Sequence, residues 1–281
     1  MKKPRIFPVY LAVVLLIMYI PIFLVVIYSF NKSRINSIWG GFTLTWYAEL
    51  FRDRSMFEAL LNSLVLAVLA SLSAAVIGTL GASGMARLRI KNSAVQKVQA
   101  AGIKNAVGKV MEYLSLLPIM MPEIIMGMTF MAFFSLLSLP FGMLTLVIAH
   151  TAFCVPYVYL LVRARLAGLD QSYMEAARIM GASDMRAFYD VTLPLVLPAV
   201  ISGILISFSM SFDDVIVSVF VAGVNANTLP MKIYSQIKTG VSPKINAICT
   251  LMFLLTIILC LIAATLSIRQ KKRHELHSTG L

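Results

Sequence analysis

The sequence predicts an all-α membrane protein with six transmembrane helices and both termini in the cytoplasm. Three observations carry this expectation. Of 281 residues, 59% are hydrophobic and only 13% charged, where soluble domains hold roughly 45–50% and about 25%. The charge-free runs are long, covering 6–30, 59–86, 113–122, 124–162, 191–212, 215–231 and 245–268, and roughly 20 apolar residues suffice to cross the hydrocarbon. The basic residues also divide unevenly. With the N-terminus inside, 17 of the 24 Lys and Arg fall in cytoplasmic segments and seven outside, which is the asymmetry that sets orientation. The runs are apolar all round rather than alternating, which excludes the strands of a membrane barrel.

Each element follows in turn. The first span, 6–29, succeeds Met1-Lys2-Lys3; it is longer than a signal core and no small-residue cleavage site follows it, so it is expected to be retained. The second covers 59–86. The third, 113–138, carries Pro118, Pro122 and Glu123. The 39-residue run 124–162 is too long for one helix, and Leu139-Pro140-Phe141-Gly142 reads as the turn that separates the fourth span, 143–167. The fifth, 193–221, holds Asp213 and Asp214, and the sixth covers 245–268. Together they make one transmembrane domain, 1–281, with a cytoplasmic segment, 169–192, between the fourth and fifth spans.

A net charge of +12 raises nucleic acid as a partner. The positive residues are instead spread over four cytoplasmic segments, Lys2 to Arg5, Arg87 to Lys109, Arg163 to Arg186 and Arg269 to Arg273. That distribution suits the lipid bilayer and no nucleic acid; 87–109 reads as a connector at the headgroups. Cys154, Cys249 and Cys260 all lie in spans as small hydrophobes, and His150, His274 and His277 make no metal cluster. The stretch Gly102 to Val110 resembles a phosphate loop, but its glycine spacing is one residue too long and Val110 replaces the magnesium-binding hydroxyl. The chain is therefore expected to be no enzyme and to hold no cofactor or metal of its own.

In the 169–192 segment, Ser172 and Glu175 have capping-box spacing, so a short helix is expected to start near Ser172. Gly181 supplies a turn at its end. Ser183-Asp184 starts a second short helix, which Pro194 is expected to stop. Ala176, Ala177 and Gly181 leave little side-chain bulk, so another protein can approach closely. Glu175-Ala176-Ala177, then Gly181, Val191 and Leu193-Pro194 resemble the EAA loop of ABC-transporter permeases, with valine where that family has isoleucine. The resemblance implies the type I ABC importer permease fold, with this loop docking in a groove of a separate subunit that binds ATP and magnesium.

Glu123, Asp213 and Asp214 lie at depths where a carboxylate costs several kcal/mol unless it faces a cavity or a partner. No Lys or Arg is expected at comparable depth. Adjacent helical residues point about 100° apart, so Asp213 and Asp214 cannot both face one lumen squarely; one lines the path and the other caps or pairs, and the sequence leaves open which. An acidic path suits a cationic cargo. The alternative is that the acids bond to a partner subunit's arginine or to amides of broken helices. The stretches Tyr28 to Ser33, Met121 to Ile124, Ser211 to Ile216, Leu229 to Ser235 and Gly240 to Ala247 resemble the spermidine/putrescine (PotC-type) permease family of binding-protein-dependent importers, over nearly the whole chain except about 92–109. That resemblance implies a second homologous permease subunit, two copies of an ATP-binding subunit and an external polyamine-binding protein, in the cytoplasmic membrane of a prokaryote. It also implies substrate contacts at Glu123, Asp213, Asp214 and Tyr234. The competing classes are a secondary transporter or cation channel in which Asp213 or Glu123 carries protons, and an ABC permease for a different cationic or small solute.

Overall fold

With no water in hydrocarbon, each backbone N–H and C=O needs a partner within the protein, and an apolar run meets that need as a helix. A computed structural model describes residues 6–34, 38–95, 110, 113–170, 172–224, 226–238, 240 and 242–278, and they are nearly all helical. Among the described residues the β content is one isolated bridge, Asn31 to Phe42. The helices are α1 (Ile6–Tyr28), α2 (Thr45–Arg52), α3 (Arg54–Val95), α4 (Tyr113–Met120), α5 (Glu123–Leu136), α6 (Met143–Ala167), α7 (Ser172–Ile179), α8 (Asp184–Ala187), α9 (Leu193–Asp213), α10 (Ile216–Val221), α11 (Leu229–Ile237) and α12 (Pro243–Ser278). A π-helical turn, Phe188–Thr192, joins α8 to α9.

Four stretches among the described residues are long and apolar enough to cross a membrane: Pro8–Tyr28, Arg54–Ala86, Met143–Ala167 and Asp184–Asp213. The pair α4 and α5 makes a fifth if counted as one bent span. Three expectations need correction. The third span is not one helix: α4 and α5 meet at 113°, because Pro122 lacks an N–H and forces its neighbour out of helical geometry. The fifth ends at Asp213; Asp214 is extended, with ψ of 131°, and a separate short α10 follows. Pro194 does not stop the second cytoplasmic helix. The π turn carries the chain through into α9, its wider i→i+5 register giving room for a ring that would clash in an α-helix. Of the basic segments, Lys2, Lys3, Arg5 and residues 96–109 lie outside the described residues, while 87–95 form the end of α3.

The chain divides into two units, Met1–Ala59 with Lys232–Cys260, and Leu60–Met231 with Leu261–Leu281. The first is organised around one buried amide. Asn31 Oδ1 accepts the N–H groups of Ser33 (3.1 Å) and Gly40 (2.8 Å), its Nδ2 donates to Ile38 O (2.8 Å), and its carbonyl accepts Trp46 Nε1 (2.7 Å). Lys244 reaches Asp53 at 2.6 Å, and Lys232 bonds Ser55.

The second unit is built around α6, which packs along α9. Where apolar lipid offers no hydrophobic drive for association, helices gain by close approach at small residues. A Cβ at Gly203 of α9 would lie 3.2 Å from Val158 Cα, and one at Gly78 of α3 would lie 2.8 Å from Val158 Cβ. Val158 is thus gripped from both sides. At Gly127 of α5, a Cβ would stand 2.6 Å from the Phe220 ring of α10. The Thr145 hydroxyl of α6, 2.8 Å from Val221 O, pins the end of α10.

Candidate functional site

Both helix breaks of the second unit open onto one cavity of about 440 Å³. Glu123 is the first residue of α5, immediately after the Pro122 break. Asp213 is the last residue of α9, and Asp214 lies in the gap before α10. The structure therefore brings all three acids to one wall. Met121, Met126, Met210, Phe153 and Tyr157 line the same space, and among the described residues no Lys or Arg lines it. A broken helix is tolerated at membrane depth where it lines a cavity; here the acids sit at the breaks themselves.

The two aspartates differ sharply in surroundings. The Asp214 side chain is only 6% exposed. Its Oδ1 accepts the Val217 N–H at 3.2 Å, and its Oδ2 accepts both the N–H and the hydroxyl of Ser218 at 2.8 Å. It starts α10 as a side-chain cap, the role an aspartate fills when a helix begins with unpaired N–H groups. Asp213 is exposed at the cavity wall, as is Glu123. Both line the cavity, but Asp214 is tied into the fold by its bonds to Val217 and Ser218, whereas Asp213 is exposed.

Sequence reasoning missed the group that completes this arrangement. His150 of α6 is fully buried, with Nδ1 2.8 Å from Ser211 Oγ, Nε2 3.1 Å from Ser218 Oγ and 3.5 Å from Asp214 Oδ2. The Phe153 ring covers it at 4.9 Å. The available signal was an ionisable ring inside a charge-free run, which at that depth calls for a polar partner. Tyr234 belongs to the first unit, where the Lys238 ammonium stands 4.7 Å above its ring.

The cytoplasmic segment expected between spans takes the two-helix form. α7 begins at Ser172, whose N–H donates to Asp170 Oδ1 at 2.9 Å; that bond holds the Asp170 carboxyl below its ordinary range. Glu175 and Ala176 are exposed, and Ala177 is buried. Gly181 turns the chain at φ of +84°, the left-handed region that glycine enters without strain. Ser183 Oγ accepts the Arg186 N–H at 3.3 Å to start α8. Arg178 closes the angle with Asp184 at 3.1 Å. Ile179, Met180, Met185 and Tyr189 all stand exposed on this small structure. Leu193 is half-buried and Pro194 exposed at the start of α9.

The chain is similar to known transport proteins. The family model for the binding-protein-dependent transport system inner membrane component matches residues 98–273. The spermidine/putrescine transport system permease protein PotC of Haemophilus influenzae is 37% identical over 265 residues, covering 94% of this chain and 96% of its own. The putrescine transport system permease protein PotI of Escherichia coli K12 is 36% identical over 241 residues, covering 84% and 81%. These relatives are transport components, not enzymes. A chain from the crystal structure of a bacterial ABC transporter involved in import of the acidic polysaccharide alginate shares the fold, with a TM-score of 0.67 at 16% identity over 94% of this chain and 98% of that one.

Proposed function

The chain belongs to the family of inner membrane components of binding-protein-dependent transport systems, and from that premise we propose that it is one permease subunit of an ATP-driven importer for polyamines of the spermidine/putrescine class. The observation that carries the cargo is the cavity itself: Glu123 and Asp213 exposed on its wall, methionines and aromatic rings around them, and no lysine or arginine lining it among the described residues. A polyamine alternates ammonium groups with methylene chains. The carboxylates accept the ammoniums in a space where charge–charge attraction is stronger than in water. Met121, Met126 and Met210 receive the methylenes, and the faces of Phe153 and Tyr157 attract cations. Tyr234, in the first unit, where its ring holds the Lys238 ammonium, is proposed as a cation contact apart from this cavity. Among the described residues, an anionic or sugar cargo would find no donor side chain here beyond the Tyr157 hydroxyl.

In this reading the chain crosses the cytoplasmic membrane of a prokaryote six times with both termini inside, α12 supplying the last crossing. It pairs with a second homologous permease subunit to enclose the pathway. Glu175, Ala176, Ala177 and Gly181, with Leu193 and Pro194 at the root of α9, dock on one of two ATP-binding subunits, which hold ATP and magnesium. An external polyamine-binding protein delivers the cargo. The flat Ala176 side and the exposed Ile179, Met180 and Met185 support docking by offering close approach and apolar contact.

The test is reconstitution of the chain with its partner permease, ATPase and binding protein in proteoliposomes. ATP-dependent accumulation of labelled spermidine or putrescine is expected. Accumulation that needs no ATPase subunit, or uptake confined to neutral or anionic solutes, would refute the reading.

A further inference from the structure

His150 bridges two helices that the chain has broken apart, and the transport reading by itself gives it no task. Ser211 lies in the last turn of α9 and Ser218 on α10; the ring stands between them, 2.8 Å from one hydroxyl and 3.1 Å from the other. The donors fix the arrangement. The Ser218 hydroxyl proton goes to the Asp214 carboxylate, which only accepts, so the Ser218 oxygen presents lone pairs to the ring. Nε2 then carries the ring proton, and Nδ1 accepts the Ser211 hydroxyl. Every polar atom in this fully buried set has a partner. The chain of bonds runs from α9 through α6 to the cap of α10.

We propose that His150 is the positioning residue that assigns the adjacent aspartates to different tasks. By spanning the break it keeps the Asp214 oxygens on the cap of α10, so that of the two neighbours it is the exposed Asp213 whose carboxylate is free for the ammonium of the cargo. The geometry stands without the cargo's identity; the effect on transport rests on the polyamine reading. Loss of the ring leaves Ser211 and Ser218 unlinked and removes the group that steadies the Ser218 hydroxyl on Asp214. A carboxylate so released turns toward the cavity water, and the orientation of Asp213 beside it is lost with the break that set it.

Two readouts test this on the assembled complex in lipid nanodiscs and proteoliposomes. The first is substrate-independent: carboxyl labelling with a water-soluble carbodiimide and glycine ethyl ester, followed by peptide mass spectrometry. In the natural chain Asp213 and Glu123 are labelled and Asp214 is protected. His150→Leu raises Asp214 labelling about tenfold, the consequence of losing one hydrogen bond to a charged network. His150→Gln, whose amide can still donate to Ser218, restores protection. The second readout is spermidine uptake: His150→Leu raises KM about tenfold, His150→Gln stays within about threefold, and His150→Leu adds nothing further once Asp213 is already Asn. If His150→Leu does not assemble, Ser218→Ala cuts the link to Asp214 with the ring in place and carries the same expected labelling. Equal labelling of Asp213 and Asp214 in the natural chain, unchanged labelling in both variants, equal defects of Leu and Gln, or a KM rise that persists on the Asp213→Asn background would each overturn the proposal. A complex that keeps the labelling pattern but takes up no polyamine refutes the cargo and leaves the positioning role standing.

Discussion

Replacing Asp213 by asparagine removes one charge from the cavity wall and almost no volume, so it isolates electrostatics from shape. An ammonium about 4 Å from a carboxylate gains ~4 kcal/mol at an effective dielectric of about 20. Asp213 is exposed to the cavity, and water there competes for both partners. What remains is close to the worth of a hydrogen bond to a charged group, about 1.5–3 kcal/mol, or roughly 10- to 150-fold in the half-saturating polyamine concentration. Asp214→Asn behaves differently. Its carboxylate is engaged by two backbone N–H groups and the Ser218 hydroxyl, and an amide NH₂ turned into that set opposes a donor with a donor. The expected result is a loss of about 1–3 kcal/mol of stability, read as a lower melting temperature of the purified complex, with KM for the surviving protein little changed. The assay is initial-rate uptake of labelled spermidine into proteoliposomes at graded external concentrations, with thermal melting of the same preparations. A KM shift on Asp214→Asn without loss of melting temperature, together with an unshifted Asp213→Asn, would refute the assignment of the two neighbours.

Further consequences follow from the same structure. Glu123→Gln should also raise the KM for polyamine by roughly tenfold, with ATPase association measured by co-purification unchanged. In the proposed coupling segment, Glu175→Lys or Gly181→Asp should abolish ATP-driven uptake while the protein still inserts; Gly181→Asp adds about 1–2 kcal/mol of left-handed strain at φ of +84°, and normal transport by both variants would sink the docking role. Gly203→Val places branches where a Cβ already meets Val158 Cα at 3.2 Å, and a loss of about 1–3 kcal/mol should appear as a lower melting temperature. The Lys244 side chain holds the Asp53 carboxyl below its ordinary value of 3.8. Because the folded value is depressed, that stabilisation, about 1 kcal/mol, is present above pH 3.8 and is lost as pH falls below it; Lys244→Met should remove this acid-side dependence from melting curves.

Helix positions were legible where a run of apolar residues had one interpretation. The fourth span falls at Met143–Ala167, as expected, because Leu139-Pro140 and the start of apolar spacing at Met143 leave no competing boundary. The two short helices begin at Ser172 and Asp184; Ser183 caps the second as expected, while the first is started by Asp170, which accepts the Ser172 N–H, both local contacts that need no tertiary partner. Hydropathy could not show the breaks at Pro122 and Asp214, since a broken and an unbroken helix carry the same apolar content. What decides between them is tertiary: Asp214 captures the N–H groups of Val217 and Ser218, and His150, more than sixty positions away, closes the set. The acids could be singled out by their cost in hydrocarbon, but their division of labour depended on a residue whose relevance exists only after α6 packs on α9. The first unit shows the same limit. No spacing in the sequence marks Asn31, yet its side-chain amide ties together Ser33, Ile38 and Gly40 while its backbone carbonyl takes the Trp46 ring N–H.

The placement of the two functional regions on one element has a mechanical consequence. The helical stretch Asp184–Asp213 is 30 residues long, or about 45 Å at 1.5 Å per residue. Its first turns are joined to α7, the segment proposed to dock, by Arg178 to Asp184 and by the Thr192 hydroxyl, which donates to Met174 Sδ at 2.9 Å. Its other end is Asp213. A helix of hydrogen-bonded turns transmits displacement along its axis far better than a loop does, and the π turn at Phe188–Thr192 keeps the connection helical where Pro194 would otherwise interrupt it. Midway, Gly203 holds the stretch against Val158 of α6 with no room for a side chain, so the helix moves against α6 as a unit or not at all. On the proposed reading, a shift imposed on α7 and α8 by an ATP-binding subunit therefore reaches the cavity as a displacement of Asp213 relative to His150. The bond from His150 to Ser211, in the last turn of α9, is where that displacement must be absorbed or broken. Cargo affinity and ATPase engagement are then linked through one helix, and each must bias the other by the same free energy.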